Sequence, residues 1–341
     1  MNEKIKSIIN DLKKELIDLS EFIYHNPELG FEEYKSSQAH IDLLKKHNFD
    51  VEENYLGIET AFRADYKSEK GGPNIAYLAE YDALPEIGHG CGHNILGTTS
   101  TGAGIALSKV IEEVGGNVIV LGTPAEETSG AKIDMVEKGV FDDIDVVMIC
   151  HPSAKHVRSG GSIALHPLEL TFTGRASHAA AFPENGINAL DAAILTFNAI
   201  NALREHVRPD TRIHGIIKNG GEAANIVPDL SVVQLYVRSP HNDYLEEVVE
   251  KVKNCARGAS IATGTKLDMT VFEKPYDNMI TNETLSNVYE KHLIESGVKE
   301  IIETNIFPGS LDTGNVSHVC PAIHPFFGIC EEGIDLDTDT R

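Results

Sequence analysis

The sequence predicts an α/β fold with a mostly parallel sheet, helices on both of its faces, and a smaller α+β domain inserted into the chain. In the first half, short and continuously apolar runs alternate with helical patterns, as in sheets that are covered on both sides. From about Ile163 the order of elements changes. The 341 residues favour two units, because single cores stop growing at roughly 250 to 300 residues.

The predicted elements of the first domain follow one another from the N-terminus. Apolar residues recur at intervals of three and four from Ile5 to Ile23, which predicts an amphipathic helix that Asn26-Pro27 ends. A second helix is predicted over 32–47. Three apolar runs predict strands, with helical patterns between them: strands at 74–84, 117–127 and 145–153, helices at 99–114 and 131–138.

The second domain is predicted from a strand, helix, strand, strand, helix, strand order between about 163 and 277. This order is typical of the split βαβ plan, a small sandwich with one sheet face free. The apolar stretches after residue 278 are expected to return to the first domain. We therefore predict one domain from 1–163 and 278–341, and an insertion at 164–277.

Composition excludes several classes of function. A formal charge of −23 disfavours nucleic acid as a partner, since phosphate backbones would be repelled. No apolar run approaches the ~20 residues of a membrane span. The charged N-terminal residues and five unpatterned cysteines favour a cytoplasmic protein in a reducing compartment.

The segment "HGCGHN" places His89, Cys91 and His93 at every second position, separated by glycines. In extended chain these side chains share one face, and the glycines let a ligand approach the backbone. Thiolate and imidazole together suit a borderline-soft divalent ion. Taken alone, the segment also fits a glycine turn carrying unrelated histidines.

Further polar residues follow the predicted strands: Asp82, the Glu126-Glu127 pair and His151. Ligands of such sheets collect beyond the carboxyl ends of the strands. Buried carboxylates are costly unless they are paired or bind a metal, although either glutamate alone could cap a helix or form a salt bridge. Successive residues of extended chain point to opposite sides, so one glutamate can bind an ion while the other activates water, which suits hydrolysis.

Six segments resemble, in order and spacing, the metallopeptidase family of aminoacylases and carboxypeptidases, and most closely its amidohydrolase subgroup of aminobenzoyl-glutamate, amidated-auxin and dipeptide hydrolases. The segments are YDALPEIGHGCGHN, GTPAEE, ICHP, GRASHAAAFPENGINALDA, NGGEAANIVPD and GSLDTGNVSHVCPAIHP. The resemblance runs from about residue 15 to 330. It implies a zinc-peptidase-like sheet and a ferredoxin-like insertion that acts as lid and dimerisation domain.

The resemblance also implies two divalent ions, Mn or Zn, in each subunit. Glu126 resembles the general base, and Asp82 resembles an acid that orients a metal ligand. His89 is not implied as a ligand, and packing or support of a ligand is its expected role. The implied metal ligands are Cys91, His93, Glu127 and His151, with the thiolate shared between the ions.

Three residues of the insertion are implied in substrate binding. His178 matches a histidine that family dimers extend into the partner's site to hold the substrate carbonyl, and a surface histidine is the plain alternative. Asn225 matches a substrate-binding amide. Arg238 matches a carboxylate-binding residue more loosely, and a salt bridge is equally compatible with its place at a strand end.

Near the C-terminus the sequence differs from the family pattern. Relatives have a histidine ligand in a His-Thr segment there, whereas this chain has "DLDTDTR", in which Asp339 could take that place. The sequence thus predicts a dimeric, cytoplasmic metal-dependent amidohydrolase that cleaves N-acyl amino acids, aminobenzoyl-glutamate-like conjugates or small dipeptides. Two alternatives stay open: a non-catalytic or degenerate homologue that binds such ligands, and a dinuclear-metal aminopeptidase.

Overall fold

The computed structural model describes residues 2–303, 306–307 and 309–330, with the backbone alone at 306–307. The chain forms two compact units. The first comprises Met1–Gly161, Met279–Phe307 and Leu311–Arg341, and the second comprises Ser162–Asn278 and Pro308–Ser310.

Helices separate the three strands β3, β4 and β5 along the chain, as the apolar runs predicted. None of the helices within the described ranges has both the length and the apolar character that a bilayer crossing requires. In chain order the elements are α1 Asn2–His25, α2 Tyr34–Lys46, β1 Asp50–Glu53, β2 Phe62–Lys67, β3 Asn74–Ala79, α3 His93–Ser108, α4 Ile111–Val114, β4 Asn117–Gly122, α5 Ala131–Glu137, β5 Val146–Met148, β6 His151–Ser153, β7 Gly161–Ser162, β8 Ala164–Thr173, α6 Ala189–Leu203, β9 Arg212–Asn219, β10 Leu230–Ser239, α7 Asn242–Thr263, β11 Lys266–Thr270, α8 Glu283–Glu295, β12 Ile306–Phe307, α9 Thr313–Ser317, β13 Ala322–Ile323 and β14 Phe326–Gly328.

The sheet of the first unit has the strand order β1-β2-β4-β3-β5-β13. Strand β3 runs parallel to both β4 and β5, and β13 runs parallel to β5, so the predicted parallel core is confirmed. The two strands at the other edge pair antiparallel and were not predicted. Their sequences, DVEE and FRADYK, contain six charged residues in ten and lack the continuous apolar run that marks the buried strands.

Both faces of this sheet are covered, because alternate residues of β4 enter different apolar clusters. Val118 and Val120 pack with residues of α1 and α2, whereas Ile119 and Leu121 pack with residues of α5 and α9. Neighbouring side chains of a strand point to opposite faces, so the sheet has helices on both sides, as predicted.

Helix α3 approaches the sheet closely at Gly97. A Cβ atom at this position would lie 2.4 Å from the Glu80 carbonyl oxygen and 2.9 Å from Nε2 of His40. Replacing Gly97 by alanine is therefore expected to lower the free energy of unfolding by about 1–3 kcal/mol, as overpacking does. Urea unfolding measures the change. Gly258 of α7 is the control, because a Cβ atom built there has no neighbouring atom within 4 Å. Gly258→Ala should therefore leave the free energy of unfolding unchanged or raise it. Equal losses of unfolding free energy in the two variants would contradict the packing argument.

The second unit contains an antiparallel sheet with the strand order β11-β8-β10-β9. Its chain order is strand, helix, strand, strand, helix, strand, and this is the predicted ferredoxin-like plan. Alternate residues of β8 and β10, such as Leu170 and Leu235, pack against α6 and α7 in one apolar core.

Candidate active site

The predicted site residues of the first unit lie beyond the carboxyl ends of three adjacent parallel strands. Asp82 follows β3, Glu126 and Glu127 follow β4, and His151 follows β5. His93 is the first residue of α3, after Gly92 at φ 78°. The parallel register of the strands therefore brings distant parts of the sequence to one edge of the sheet.

The local conformation differs from the extended chain that the sequence predicted. The strands end at Ala79 and Gly122, so Asp82 lies in irregular chain and the glutamate pair in a turn, and Cys91 lies in the turn that precedes α3. Ala125, with φ 64°, reverses the chain immediately before the glutamates. As a result, Glu126 and Glu127 point into the same cluster, not to opposite sides.

His93, Glu126 and Glu127 form a close cluster, and the predicted ligands Cys91 and His151 lie beside it. Nε2 of His93 lies 4.0 Å from a Glu126 carboxylate oxygen and 3.9 Å from one of Glu127, and these three residues offer ligand atoms within 4.8 Å of one another. The Cys91 thiol lies against the Glu127 carboxylate. The His151 ring centroid is 5.6 Å from that of His93. Imidazole, thiolate and carboxylate form a donor set that suits Zn or a similar divalent ion.

Hydrogen bonds fix the orientation of both histidine rings beside this cluster. Nδ1 of His93 donates to Oδ1 of Asp82 at 2.9 Å, which leaves Nε2 as a buried atom without a hydrogen-bond partner among the described residues. Oδ2 of Asp82 accepts from the Glu127 backbone N–H at 2.9 Å. Nδ1 of His151 donates to the Pro152 carbonyl at 2.6 Å. Such contacts fix the tautomer of a metal-binding histidine, so the site fits a metal.

The site concentrates negative charge in a buried place. Burial, reinforced by the Glu80, Asp312 and Glu127 carboxylates, holds the pKa of Glu126 well above its usual value. Burial and the neighbouring Glu127 likewise raise the pKa of the Cys91 thiol. A divalent cation held here would lower both pKa values, because it would stabilise the carboxylate and the thiolate as anions.

His178 and Asn225 adjoin one another in the second unit. Both are exposed, and the Ala179 backbone N–H donates to the Asn225 carbonyl at 2.9 Å. Nδ1 of His178 accepts from the N–H groups of Ala180 and Ala181 at 3.2 and 3.1 Å. The ring proton is thus on Nε2, which can donate a hydrogen bond.

Arg238 also belongs to the second unit and is half-buried. It donates from Nη1 to Ser310 Oγ at 3.2 Å, and its guanidinium lies 5.6 Å from the Tyr236 ring centroid. It forms no ion pair with a carboxylate of the described residues, so the salt-bridge alternative has no support there. His89 is half-buried, and burial together with the nearby His93 lowers its pKa. Asp339 lies outside the described residues.

Comparisons with known proteins identify the family and agree with the fold. Residues 165–262 match the peptidase dimerisation domain family. The chain is 38% identical to the Xaa-Arg dipeptidase of Mus musculus over 347 residues, which covers 96% of this chain and 79% of the relative. The chain belongs to the M20 peptidase family.

Two further proteins are similar to the chain, one in sequence and one in structure. It is 34% identical to one of the subunits of p-aminobenzoyl-glutamate hydrolase from Escherichia coli (strain K12), over 83% of this chain and 63% of the relative. A dinuclear metal-binding M20 peptidase of Bacillus subtilis superposes with a TM-score of 0.72 at 19% identity, over 98% of this chain and 94% of that one. The predicted family and fold are thus confirmed, and the protein is a hydrolase.

Three buried residues next to the cluster were not identified from the sequence as a group. The Lys132 ammonium lies 2.7 Å from Glu80 Oε1 and 2.7 Å from Asp312 Oδ1, and all three side chains are almost wholly inaccessible. Glu80 Oε2 lies 3.4 Å from His93 Nε2. Glu80 precedes Asp82 by two residues at the end of the same predicted strand, and this spacing could have indicated that Glu80 lies near the site. The position of Lys132 in the first turn of α5 carried none, because lysine at a helix start is usually solvated.

Glu33 is a further acid that this M20 protein buries, and it supports the turn before the glutamates. Its carboxylate accepts from the Ala125 backbone N–H at 2.8 Å and from Thr60 Oγ1 at 2.9 Å. Burial raises its pKa to about 7. The hydrogen bond holds Ala125 in its left-handed conformation, which orients Glu126.

The raised pKa of Glu33 predicts a pH-dependent stability. Between pH 4.5 and 7 the unfolded chain releases this proton while the folded protein retains it, so the free energy of unfolding falls as pH rises. We expect this contribution to be on the order of 3 kcal/mol and to be absent from Glu33→Gln. Urea unfolding of both proteins at pH 5 and pH 8 tests it. If the two proteins differed in unfolding free energy by the same amount at pH 5 and at pH 8, the raised pKa of Glu33 would be contradicted.

Proposed function

We propose that this protein is a metal-dependent amidohydrolase that cleaves the amide bond of N-acyl amino acids, aminobenzoyl-glutamate-like conjugates or small dipeptides. The observation that carries the proposal is the convergence of His93, Glu126 and Glu127 within 4.8 Å, with Cys91 and His151 beside them. The Xaa-Arg dipeptidase and aminobenzoyl-glutamate hydrolase relatives support the substrate classes.

Two divalent ions, Mn or Zn, would be held by Cys91, His93, Glu127 and His151. When bound, they supply Lewis acidity and lower the pKa of water toward neutrality. Asp82 keeps His93 in the tautomer whose Nε2 would be available to bind an ion.

Glu126 is proposed as the general base. Its carboxylate takes a proton from the attacking water as the new C–O bond forms, and it returns that proton to the leaving nitrogen as the C–N bond breaks. The products are a carboxylic acid and an amine, and one water molecule is consumed for each amide bond cleaved.

The second unit is proposed to complete the site in a homodimer. Residues 1–163 and 278–341 would form the catalytic domain and 164–277 the lid and dimerisation domain, which the match to the dimerisation family supports. His178 from the partner chain would donate from Nε2 to the carbonyl oxygen, and Asn225 and Arg238 would hold the rest of the substrate. Unpaired cysteines support a reducing, cytoplasmic setting.

An activity screen tests the function. The protein is treated with chelator, reconstituted with Mn or Zn, and assayed on matched substrates: N-acyl amino acids, aminobenzoyl-glutamate, and dipeptides with and without C-terminal arginine. Hydrolysis that depends on metal supports the proposal. Cleavage limited to longer peptides with a free N-terminus would favour an aminopeptidase, and absence of metal binding at saturating Mn or Zn would favour a binding protein.

Mixing two inactive variants tests the role of the partner subunit. If His178 acts across the dimer, reassociation of Glu126→Gln with His178→Gln subunits should restore about a quarter of the wild-type activity, because half of the dimers contain one intact site of two. The control is a mixture of Glu126→Gln and Glu127→Gln, whose defects lie in the same subunit's site and should not complement. Equal recovery, or none, in both mixtures would contradict the shared site.

A further inference from the structure

His324 is a buried histidine that the proposed ligand set does not use. It follows β13, which runs parallel to β5, so it leaves the sheet beside the segment that leads to His151. Its backbone N–H donates to Ser159 Oγ at 2.9 Å, which fixes its position at the strand end. Only 3% of the residue is exposed.

Neither ring nitrogen of His324 has a hydrogen-bond partner among the described residues. Buried polar side chains are nearly always paired, and an unpaired one costs roughly 1–3 kcal/mol. Apolar packing alone does not account for a histidine here, because a phenylalanine would fill similar space without this cost. The ring therefore has the chemistry of a binding group.

The position of the ring relative to the other histidines suits a shared metal centre. Its centroid is 5.9 Å from that of His151, which is itself 5.6 Å from that of His93. Two imidazoles on one tetrahedral ion have centroids about 5–6 Å apart, given metal–nitrogen distances of about 2.0–2.1 Å. Phe326 stacks on His324 with centroids 5.5 Å apart and planes 18° apart, which restricts rotation of the ring.

We propose that His324 supplies an additional imidazole ligand to the metal centre, at the ion that His151 binds. This inference rests on the proposed function, since it requires the metal site. It assigns three histidines to the centre, His93, His151 and His324, in place of the two that the sequence motifs indicate. It also gives a partner to the buried His324 ring, whose nitrogens accept or donate no hydrogen bond among the described residues.

Cobalt binding tests the assignment without use of activity. The chelator-treated full-length protein is titrated with Co(II), and the number of ions, their affinities and the visible absorption are recorded. We expect two ions in the wild type, and in His324→Gln we expect one of them to bind at least about tenfold more weakly, with an altered spectrum.

His40 provides the matched control. It is also a wholly buried histidine packed against aromatic rings, but its Nδ1 bonds to Thr101 Oγ1 at 2.8 Å. His40→Gln should bind both ions as the wild type does. If the wild type binds two ions and His324→Gln binds them with the same affinities and spectrum, the inference is wrong and the proposed function stands. If the wild type binds none, the proposed function itself fails.

A count of histidine ligands in the unsubstituted protein does not depend on whether a variant folds. The protein is labelled with ¹⁵N-histidine and loaded with ¹¹³Cd, and the ring nitrogens that show coupling to cadmium are assigned. Three coupled histidines including His324 would support the assignment. Two, without His324, would overturn it.

Discussion

Replacing Glu126, the proposed general base, by glutamine is expected to lower kcat by about 10²–10⁴-fold, the usual contribution of such a base, while the two proposed metal ions stay bound. Glutamine has nearly the same shape but cannot accept the proton of the attacking water. Glu126 is one of the three residues whose ligand atoms lie within 4.8 Å of one another, so it is close enough to act on a water held there. The rate of amide hydrolysis and the metal content of the purified variant are the two measurements.

Glu127, the next residue, provides the comparison that separates loss of a base from loss of a metal ligand. Glu127→Gln removes a proposed ligand and should lower metal affinity as well as rate, whereas Glu126→Gln should lower the rate alone. Glu137→Gln, at an exposed position of α5, controls for loss of a carboxylate and should leave both unchanged. If Glu126→Gln kept more than about a tenth of the wild-type kcat, the general-base role would be wrong.

Replacing Lys132 by methionine should lower the free energy of unfolding by about 3–5 kcal/mol, because it leaves two buried carboxylates without their cation. The ammonium lies 2.7 Å from both Glu80 and Asp312, and its side chain has no exposed surface. Although burial lowers the pKa of Lys132, the two carboxylates together hold it above its usual value, so the lysine is charged in the folded protein.

Urea unfolding of the metal-free proteins measures this loss. Lys109→Met, at an exposed position after α3, is the control and should change stability by less than about 0.5 kcal/mol. The triple variant Lys132→Met, Glu80→Gln, Asp312→Asn removes all three charges and should recover part of the stability, since buried charges are costly when unpaired. A loss in Lys132→Met no larger than in Lys109→Met would show that the buried ion pairs do not stabilise the fold.

The sequence was informative where a residue's chemistry and its place after an apolar run pointed the same way. Glu127 and His151 each follow a buried strand, and parallel strands place such residues together whatever the details of the turns. The local geometry was less predictable. Ala125 adopts a positive φ that alanine rarely takes, and the hydrogen bond that supports it comes from Glu33, about ninety residues earlier. No pattern within the GTPAEE segment contains that contact.

Periodicity, strand order and six ordered motifs were enough to determine the fold class and the family, because these depend on which residues are apolar and on short-range spacing. Only the tertiary structure decided which buried polar groups meet. Lys132 joins Glu80 and Asp312, and His324 approaches His151, through contacts between segments far apart in the chain. Such pairings depend on sheet register and on side-chain direction at strand ends, and neither is encoded in the local spacing of residues.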